Sequence, residues 1–342
     1  MVYIQYDLLS GLFGQHLNRL AGVNSLWSKG NMSVGHIPIF QHFSPETASM
    51  AHLFTLVLLI CGIILLVVIG IIGAGLICFR ERPGAGEPRP YFGNRKLELL
   101  WTLGPILIVI WLFILTARGM HESDPAANRE PDLIVIGHQW WWEVRYPGSG
   151  VVTANEIHFP VGQQWLVHLQ SADVIHNFWV PALARKMQMI PGMTNHIWLE
   201  ADAPGTYGGT CAEFCGAGHS WMHFSVIAES PAAFAAWLHR QEGVPTNTVP
   251  ETARDGRKLF QTLTCINCHS LRGVSATSGI APDLTSLADR KTVGAGVLSN
   301  TETNLFRWLK NPQAIKRGCL MPDLKLTDAQ AGSLAAYLEA RP

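Results

Sequence analysis

The stretch that decides the fold of residues 130–230 is CAEFCGAGHSWM, from Cys211 to Met222. Thiolate, imidazole and thioether groups are soft ligands that suit copper. In an exported domain Cys211 and Cys215 can instead form a disulfide, but that pairing leaves Glu213, His219 and Met222 without a role. A blue-copper site uses only one cysteine. Two thiolates that bridge two copper ions therefore account best for this stretch.

A two-copper site of this kind needs a second histidine from elsewhere in the chain. We prefer His176, because a proline-terminated turn in SADVIHNFWVPAL should hold it away from regular strand pairing. The competitors His158, His168 and His196 better suit ordinary positions in a sheet or at the surface. The remaining contact is expected from the backbone carbonyl of Glu213, between the two thiolates. The predicted copper ligands are His176, Cys211, Glu213, Cys215, His219 and Met222.

The sequence around this cluster is typical of short β-strands. Runs of branched and aromatic residues, such as DLIVIGHQWWWEVRYPG at 132–148, alternate with Gly/Pro turns over residues 130–230. This spacing indicates a β-sandwich or barrel.

Two long apolar runs precede the β-rich region. Leu53–Phe79 comprises 27 residues without a charge and Leu99–Ala117 comprises 19, whereas a membrane span needs about 20. The alternative, helices buried in a large soluble core, fits such lengths poorly. The connecting loop is rich in Arg and Lys and should remain in the cytoplasm, so the chain after Arg118 is expected on the periplasmic side.

The overall composition excludes one class of partner and leaves one segment open. Lys plus Arg and Asp plus Glu are 25 each, so no basic excess supports nucleic-acid binding. Hydrophobic residues make up 48% and charged residues 15%, as expected for a membrane protein. Residues 1–45 have two alternative interpretations, a short interfacial helix around Tyr3–Leu20 or disorder, and the sequence does not decide between them.

The second cysteine cluster is CINCH, with Cys265, Cys268 and His269. This spacing is the signature of covalent c-type haem attachment, in which the histidine becomes an axial ligand of the iron. A thioredoxin-like pair needs a βαβ setting and a zinc site needs a second ligand pair, and neither is evident. The sixth ligand is expected to be Met321, because it is followed by a proline and no other methionine follows Val226. A thioether ligand raises the potential of the iron. Cys319 is expected to be a buried free thiol without a role.

The C-terminal region has helical periodicity, with Thr327 as a plausible N-cap. A small all-α domain is therefore expected there. The predicted organisation is 1–45, an N-terminal segment of unclear structure; 46–118, a transmembrane hairpin; 119–232, a copper domain; 233–247, a linker; and 248–342, a haem domain.

Taken together, these motifs resemble subunit II of the haem–copper cytochrome c oxidases. The matching pieces are NRKLELLWTLGP, GHQWWWEVRY, SADVIHNFWVPAL, IPGMTN and the copper stretch, within residues 46–230. The haem region resembles the C-terminal cytochrome c of caa3-type oxidases. The resemblance implies a multidomain fold: a transmembrane α-helical hairpin, a cupredoxin-like β-sandwich or barrel, and a small all-α class I cytochrome c domain.

The resemblance also implies roles for individual residues. The predicted copper ligands would form the CuA centre, and the Glu213 carboxylate would reach a magnesium or manganese ion shared with subunit I. Trp140 matches the aromatic residue through which electrons enter, although three consecutive tryptophans also form apolar surface that favours burial. Glu98 matches a carboxylate near the mouth of a proton-uptake path, although a glutamate at a membrane boundary can simply be solvated.

The function implied is that of an electron-transfer subunit of a terminal cytochrome c oxidase. Electrons would enter through the covalent haem c, pass to CuA and continue to haem in subunit I, where oxygen is reduced to water with proton translocation. The implied partners are subunit I with haem a and haem a3–CuB, further oxidase subunits, membrane lipid, and an external cytochrome or docked respiratory complex. The implied location is the bacterial inner membrane, with both exported domains on the periplasmic face.

The sequence departs from the family at one position, and it leaves several alternative functions to consider. The family often has Lys-x-Asp before IPG, but Gln188 occupies the acid's position here, which puts the local polar network in doubt. A CuA-containing nitric oxide reductase would differ only in its partner subunit, whereas a nitrous oxide reductase would add a histidine-rich propeller. A copper-delivery protein would not need a haem, and a quinol oxidase subunit would lack the copper ligands.

Overall fold

The structure is a computed structural model that describes residues 42–80, 83–84, 86, 90, 92–124, 129–243, 253–275 and 279–340. The segment around Tyr3–Leu20, for which an interfacial helix was one of the two expectations, lies outside the described residues. Part of the basic loop between the two apolar runs also lies outside them.

Two long helices carry the apolar runs. Helix α1 (Pro45–Cys78) and helix α2 (Arg95–Glu122) each begin before the charge-free stretch, because a side chain caps the first turn. Ser44 accepts a hydrogen bond from the backbone of Thr47, and Asn94 caps α2 in the same way. At about 1.5 Å per residue, the 34 residues of α1 exceed the apolar thickness of a bilayer, about 30 Å. The most apolar 18-residue window of each helix is 0% buried by protein, so both are expected to face lipid or another subunit.

The first turn of α1 is attached to the exported domain. The Ser44 hydroxyl donates to the carbonyl of Leu183 at 2.6 Å, and the Thr47 hydroxyl donates to the carbonyl of Ala182 at 3.1 Å. Ser44 is only 1% exposed. The β-domain is therefore fixed directly above the periplasmic end of this span.

The exported β-domain is a sandwich of two five-stranded sheets. The strands are β1 Leu133–His138, β2 Trp141–Tyr146, β3 Val151–Ala154, β4 Glu156–Pro160, β5 Trp165–Ser171, β6 His176–Trp179, β7 Met187–Met189, β8 Asn195–Leu199, β9 Gly205–Cys211 and β10 His223–Glu229. One sheet has the order β3-β2-β1-β5-β8 and the other β4-β10-β9-β6-β7. Most neighbours are antiparallel, but β1 pairs with β5 and β4 with β10 in parallel.

The hydrophobic core lies between the two sheets. Trp142, Phe159 and Phe178 are fully buried in it, and the alternation of inward and outward side chains follows from the two-residue period of a strand. Gly209 on β9 faces the Phe224 ring so closely that a Cβ there would lie 2.2 Å from ring atom Cζ. Any side chain at position 209 would collide with this ring, so a glycine is required there.

Helix α3 (Pro231–Glu242) follows the last strand of the sandwich. Its Phe234 and Trp237 join the core of the β-domain, and Tyr146 packs against Trp237 with ring centroids 5.3 Å apart. The segment 233–247, expected to be a linker, thus begins as a helix of the β-domain because its aromatic residues complete that core. Residues 244–252 lie outside the described part of the chain.

The haem region is mainly helical, as its periodicity predicts. Thr327 caps the last helix through its side chain, which accepts from the backbone of Gln330, so this prediction is confirmed. At Gly256 a Cβ would lie 2.0 Å from the Ser333 carbonyl oxygen, which shows how closely the first and last helices pack. The elements are α4 Arg254–Thr262, α5 Cys265–Cys268, β11 Thr292–Val293, β12 Leu298–Ser299, α6 Glu302–Lys310, α7 Pro312–Ile315 and α8 Asp328–Glu339.

Candidate metal centre and cofactor cavity

The stretch from Cys211 to Met222 forms a loop between β9 and β10. Cys211 is the last residue of β9, and its backbone N–H donates to the Met222 carbonyl at 3.0 Å. His219 begins a short 3-10 turn that brings the chain back towards β10. The loop therefore folds over itself and buries Cys211, Cys215 and Met222, whereas Phe214 and Trp221 stay exposed.

The loop and strand β6 bring all six predicted copper ligands together. The two cysteine Sγ atoms lie 3.8 Å apart, and each lies close to one imidazole. The thioether of Met222 lies beside one sulfur and the Glu213 carbonyl beside the other. The distances are Cys211 Sγ to His176 Nδ1, 3.9 Å; Cys215 Sγ to His219 Nδ1, 3.6 Å; Cys215 Sγ to Met222 Sδ, 3.8 Å; and Cys211 Sγ to the Glu213 carbonyl, 3.2 Å.

The electrostatics of the cysteine pair favour a bound cation. A hydrogen bond from Cys215 is the main cause that lowers the pKa of Cys211, although burial opposes it. The same hydrogen bond, together with burial, raises the pKa of Cys215. Two buried thiolates at this separation repel each other, so both can be ionised at neutral pH only with positive charge between them.

The donor set fits a pair of soft metal ions. Two thiolates, two imidazoles and a thioether are the ligand types that copper prefers, and the ligand atoms of His176, Cys211 and Cys215 all lie within 4.8 Å of one another in a buried position. The other ring nitrogen of His176, Nε2, is bonded to Asp173 Oδ1 at 2.8 Å. A carboxylate in this position fixes the ring and leaves Nδ1 for a metal.

His176 was the preferred second histidine ligand, but the reason given for that preference is wrong. His176 is not held away from strand pairing, because it opens β6 and pairs with Met189 of β7. Asp173 was missed, although its position three residues before a candidate ligand in the turn was the available signal. Burial lowers the pKa of His176, but hydrogen bonds to Cys211 and Asp173 outweigh burial and raise it overall.

The competing histidines lie in strands away from the sulfur cluster. His158, on β4, stacks on Trp237 with ring centroids 4.1 Å apart. His168 and His196 lie opposite each other on β5 and β8, with ring centroids 4.5 Å apart. These are the sheet positions that the sequence indicated for them.

The remaining predicted residues occupy different surroundings. Trp140 is 9% exposed, and its indole N–H donates to the Cys215 carbonyl at 3.1 Å. Glu213 is half-buried and Gln188 is exposed on β7. Glu98 is exposed in the first turn of α2, far along the chain from the sulfur cluster. Of Trp140, Gln188 and Glu98, Trp140 is the residue whose side chain is bonded to the copper loop.

A cavity in the haem region gathers the second predicted set of ligands. Cys265, Cys268, His269 and Met321 all line it. His269 Nδ1 bonds to the Pro282 carbonyl at 2.7 Å, so Nε2 is the ring nitrogen that can meet a metal. Burial lowers the pKa of His269, against the effect of the Pro282 hydrogen bond. A neutral imidazole oriented by a carbonyl, with two thiols and a thioether around an apolar cavity, fits a covalent haem.

The same cavity extends to the surface of the β-domain. Trp140 and Trp141 of the β-domain line it, together with Lys316 and Cys319 of the haem region. Cys319, expected to be a buried thiol, is half-buried, and its Sγ accepts a hydrogen bond from Gln313 at 3.3 Å. Trp140 therefore contacts both the haem cavity and the copper loop.

Three family profiles match separate parts of the chain. The transmembrane domain of cytochrome c oxidase subunit II matches residues 35–116, and its periplasmic domain matches residues 149–229. The cytochrome c family matches residues 253–341. The three matches follow the order of the helices, the sandwich and the haem region.

Individual relatives agree with these profiles. Cytochrome c oxidase subunit 2 of Alkalihalophilus pseudofirmus is 35% identical over 296 residues, which cover 83% of this chain and 84% of that protein. Quinol oxidase subunit 2 of Bacillus cereus is 32% identical over 198 residues, which cover 56% of this chain and 68% of that protein. The crystal structure of the periplasmic domain of cytochrome oxidase subunit II from Bradyrhizobium japonicum is 29% identical, covers 33% of this chain and 96% of that chain, and has a TM-score of 0.32.

Proposed function

Because the chain belongs to the cytochrome c oxidase subunit II family, we propose that it relays electrons between two redox centres held side by side in its exported domains. It is a two-pass membrane protein with a periplasmic β-domain, followed by a cytochrome c domain. Membership in the family implies association with subunit I and other subunits of a haem–copper terminal oxidase. Oxygen reduction then belongs to subunit I.

The copper site is proposed to be dinuclear. Cys211 and Cys215 would bridge the two ions, and His176 and His219 would each supply one nitrogen. Met222 and the Glu213 carbonyl complete the set. The observation that carries this proposal is the convergence of two buried sulfurs 3.8 Å apart with one imidazole beside each. A blue-copper site, which uses one cysteine, would leave one of these thiols without a function.

The haem site is proposed to use His269 and Met321 as axial ligands, with thioether bonds from Cys265 and Cys268. Copper and haem both supply reversible one-electron chemistry when bound. The protein contributes position: the Pro282 carbonyl orients His269, and Trp140 and Trp141 of the β-domain line the cavity.

The finer assignments follow the family resemblance. Trp140 would be the aromatic contact for electron entry, which its position between the cavity and the Cys215 carbonyl supports. The Glu213 carboxylate would hold magnesium or manganese at the boundary with subunit I, and Glu98 would stand near a proton-uptake path. The external donor would be a cytochrome or a docked respiratory complex. The exposed apolar helices would contact lipid.

The proposal is tested on the purified oxidase with Cys215→Ser. We expect the variant to lose a mixed-valence two-copper EPR signal, because one bridging thiolate is removed, while the haem c optical spectrum stays unchanged. Oxygen-consumption and nitric-oxide-reduction assays on the same complex distinguish an oxidase from a reductase. An intact copper signal in Cys215→Ser contradicts the site assignment, and nitric oxide reduction without oxygen consumption contradicts the proposed function.

A further inference from the structure

Lys316 is a buried cation at the contact between the haem region and the β-domain. It follows α7 and is 3% exposed. Its ammonium group donates to the Trp140 carbonyl at 2.6 Å and to the Gly294 carbonyl at 3.0 Å. Burial lowers the pKa of Lys316 to about 8, which reflects the unfavourable desolvation of a charge. Such a group is tolerated only where several acceptors hold it.

The acceptor of this hydrogen bond belongs to a residue that also contacts the copper loop. The Trp140 indole N–H donates to the Cys215 carbonyl, and the Gln139 amide donates to the same carbonyl at 2.7 Å. At Gly218 of the loop, a Cβ would lie 2.4 Å from Trp140 Cδ2, so the indole packs directly on the loop backbone. Lys316 is thus separated from the Cys215 backbone by one residue, Trp140.

Separate contacts also join the two domains. Glu156 on β4 is 2% exposed, and its Oε1 accepts from the backbone N–H groups of Lys291 at 2.6 Å and Thr292 at 3.0 Å. The His223 N–H donates to the Ala295 carbonyl at 3.2 Å. These contacts do not involve the Lys316 side chain, so loss of that side chain should leave the domains associated.

We propose that Lys316 is a positioning residue that fixes the haem cavity at one distance and orientation from Trp140 and the copper loop. This inference rests on the proposed function. Bound haem and copper would supply reversible one-electron chemistry, in which no bond is formed or broken. A flexible tether alone raises the local concentration of the donor domain, but it does not select an orientation.

The test compares Lys316→Met with Arg317→Met in the complete oxidase. Both substitutions remove one positive charge from adjacent positions, but Arg317 is exposed. Optical and EPR spectra first establish that haem and copper are loaded. Pulsed EPR then gives the distribution of haem–copper distances, and flash-induced electron injection gives the rate of transfer between the two groups.

We expect Lys316→Met to broaden the distance distribution and to slow transfer between the two groups, because a haem domain that is no longer held in one orientation spends part of its time at longer distances from the copper loop. Arg317→Met should match the wild type in both measurements. An unchanged distribution and rate in Lys316→Met overturn the inference. An equal effect in Arg317→Met also overturns it, because charge rather than position would then be the cause.

If Lys316→Met fails to load haem, Lys316→Ala replaces it, because the short side chain removes the hydrogen bond to the Trp140 carbonyl without placing a long apolar chain beside it. A broadened distance distribution with slower transfer supports the inference, and wild-type behaviour overturns it. The proposed function is judged separately on the wild type. A wild-type complex without a two-copper signal or without haem–copper transfer contradicts the proposed function itself.

Discussion

Gly137 gives the sharpest test of the copper site, because it lies against a proposed ligand without being one. A Cβ at this position of β1 would lie 2.8 Å from Cδ2 of His176 and 3.0 Å from its Cγ. Ordinary contacts of this kind begin at 3.4 Å, so Gly137→Ala requires the ring to move by about 0.6 Å, the difference between the two distances. His176 is fully buried and its Nε2 is bonded to Asp173, so it cannot move without disturbing its neighbours.

A displacement of this size is larger than a metal site accepts. Ligand distances in protein metal sites fall within about 0.2 Å of their usual values. Loss of ligand orientation typically lowers metal affinity by about 10–100-fold, and we expect Gly137→Ala to weaken copper binding within that range. Overpacking of the core should also lower the free energy of unfolding by about 1–3 kcal/mol.

Copper affinity is measured by competition with a chelator, with the mixed-valence EPR signal as the readout, and stability by denaturant unfolding. Gly148→Ala is the matched control, because a Cβ there meets nothing within 4 Å. It should leave copper affinity unchanged. Wild-type copper affinity and an unchanged EPR spectrum in Gly137→Ala would refute the placement of His176 as a ligand.

Two further predictions concern the haem and the pH dependence of stability. Met321→Ala should lower the reduction potential of the haem, since a thioether ligand raises it, while the copper signal remains; a potential equal to the wild type assigns the sixth position to another residue. Burial lowers the pKa of His158, but Glu156 and Glu229 outweigh it and raise the pKa above its ordinary value of 6.5. This histidine therefore stabilises the fold fully below pH 6.5 and loses that effect as pH rises through the raised folded-state pKa. The difference in unfolding free energy between wild type and His158→Gln should shrink with increasing pH, and a constant difference would contradict the argument.

The local features of the chain could be predicted because they repeat or cluster in sequence. Charge-free runs determine the two spans, and helix caps explain why Pro45–Cys78 and Arg95–Glu122 begin earlier than the runs. The copper loop was readable because five of its six proposed ligands lie within twelve residues. His176, 35 residues upstream, was chosen correctly as a neighbour of Cys211 but for a reason that the strand pairing contradicts.

The contacts between the domains could not be predicted in this way. Lys316 and Trp140 are 176 positions apart, and Glu156 meets the backbone of Lys291 at a separation of 135. A backbone amide or carbonyl has no signature in the amino-acid sequence, so no spacing or periodicity indicates such pairs. Helix α3 was partly assigned to a linker for a similar reason. Trp237 packs into the core of the preceding domain, and the short periodicity of the helix does not indicate that contact.

The two polar contacts of Trp140 use different atoms, and this separates its possible roles. Its carbonyl receives Lys316 of the haem domain, whereas its indole N–H donates to Cys215 of the copper loop. The first contact depends on the backbone, so it sets the position of the haem domain whatever side chain occupies residue 140. The second depends on the indole, so it connects the aromatic ring to the proposed metal ligands. The proposed docking and electron-entry roles therefore meet at one residue but use different atoms, so each can be perturbed while the other is kept.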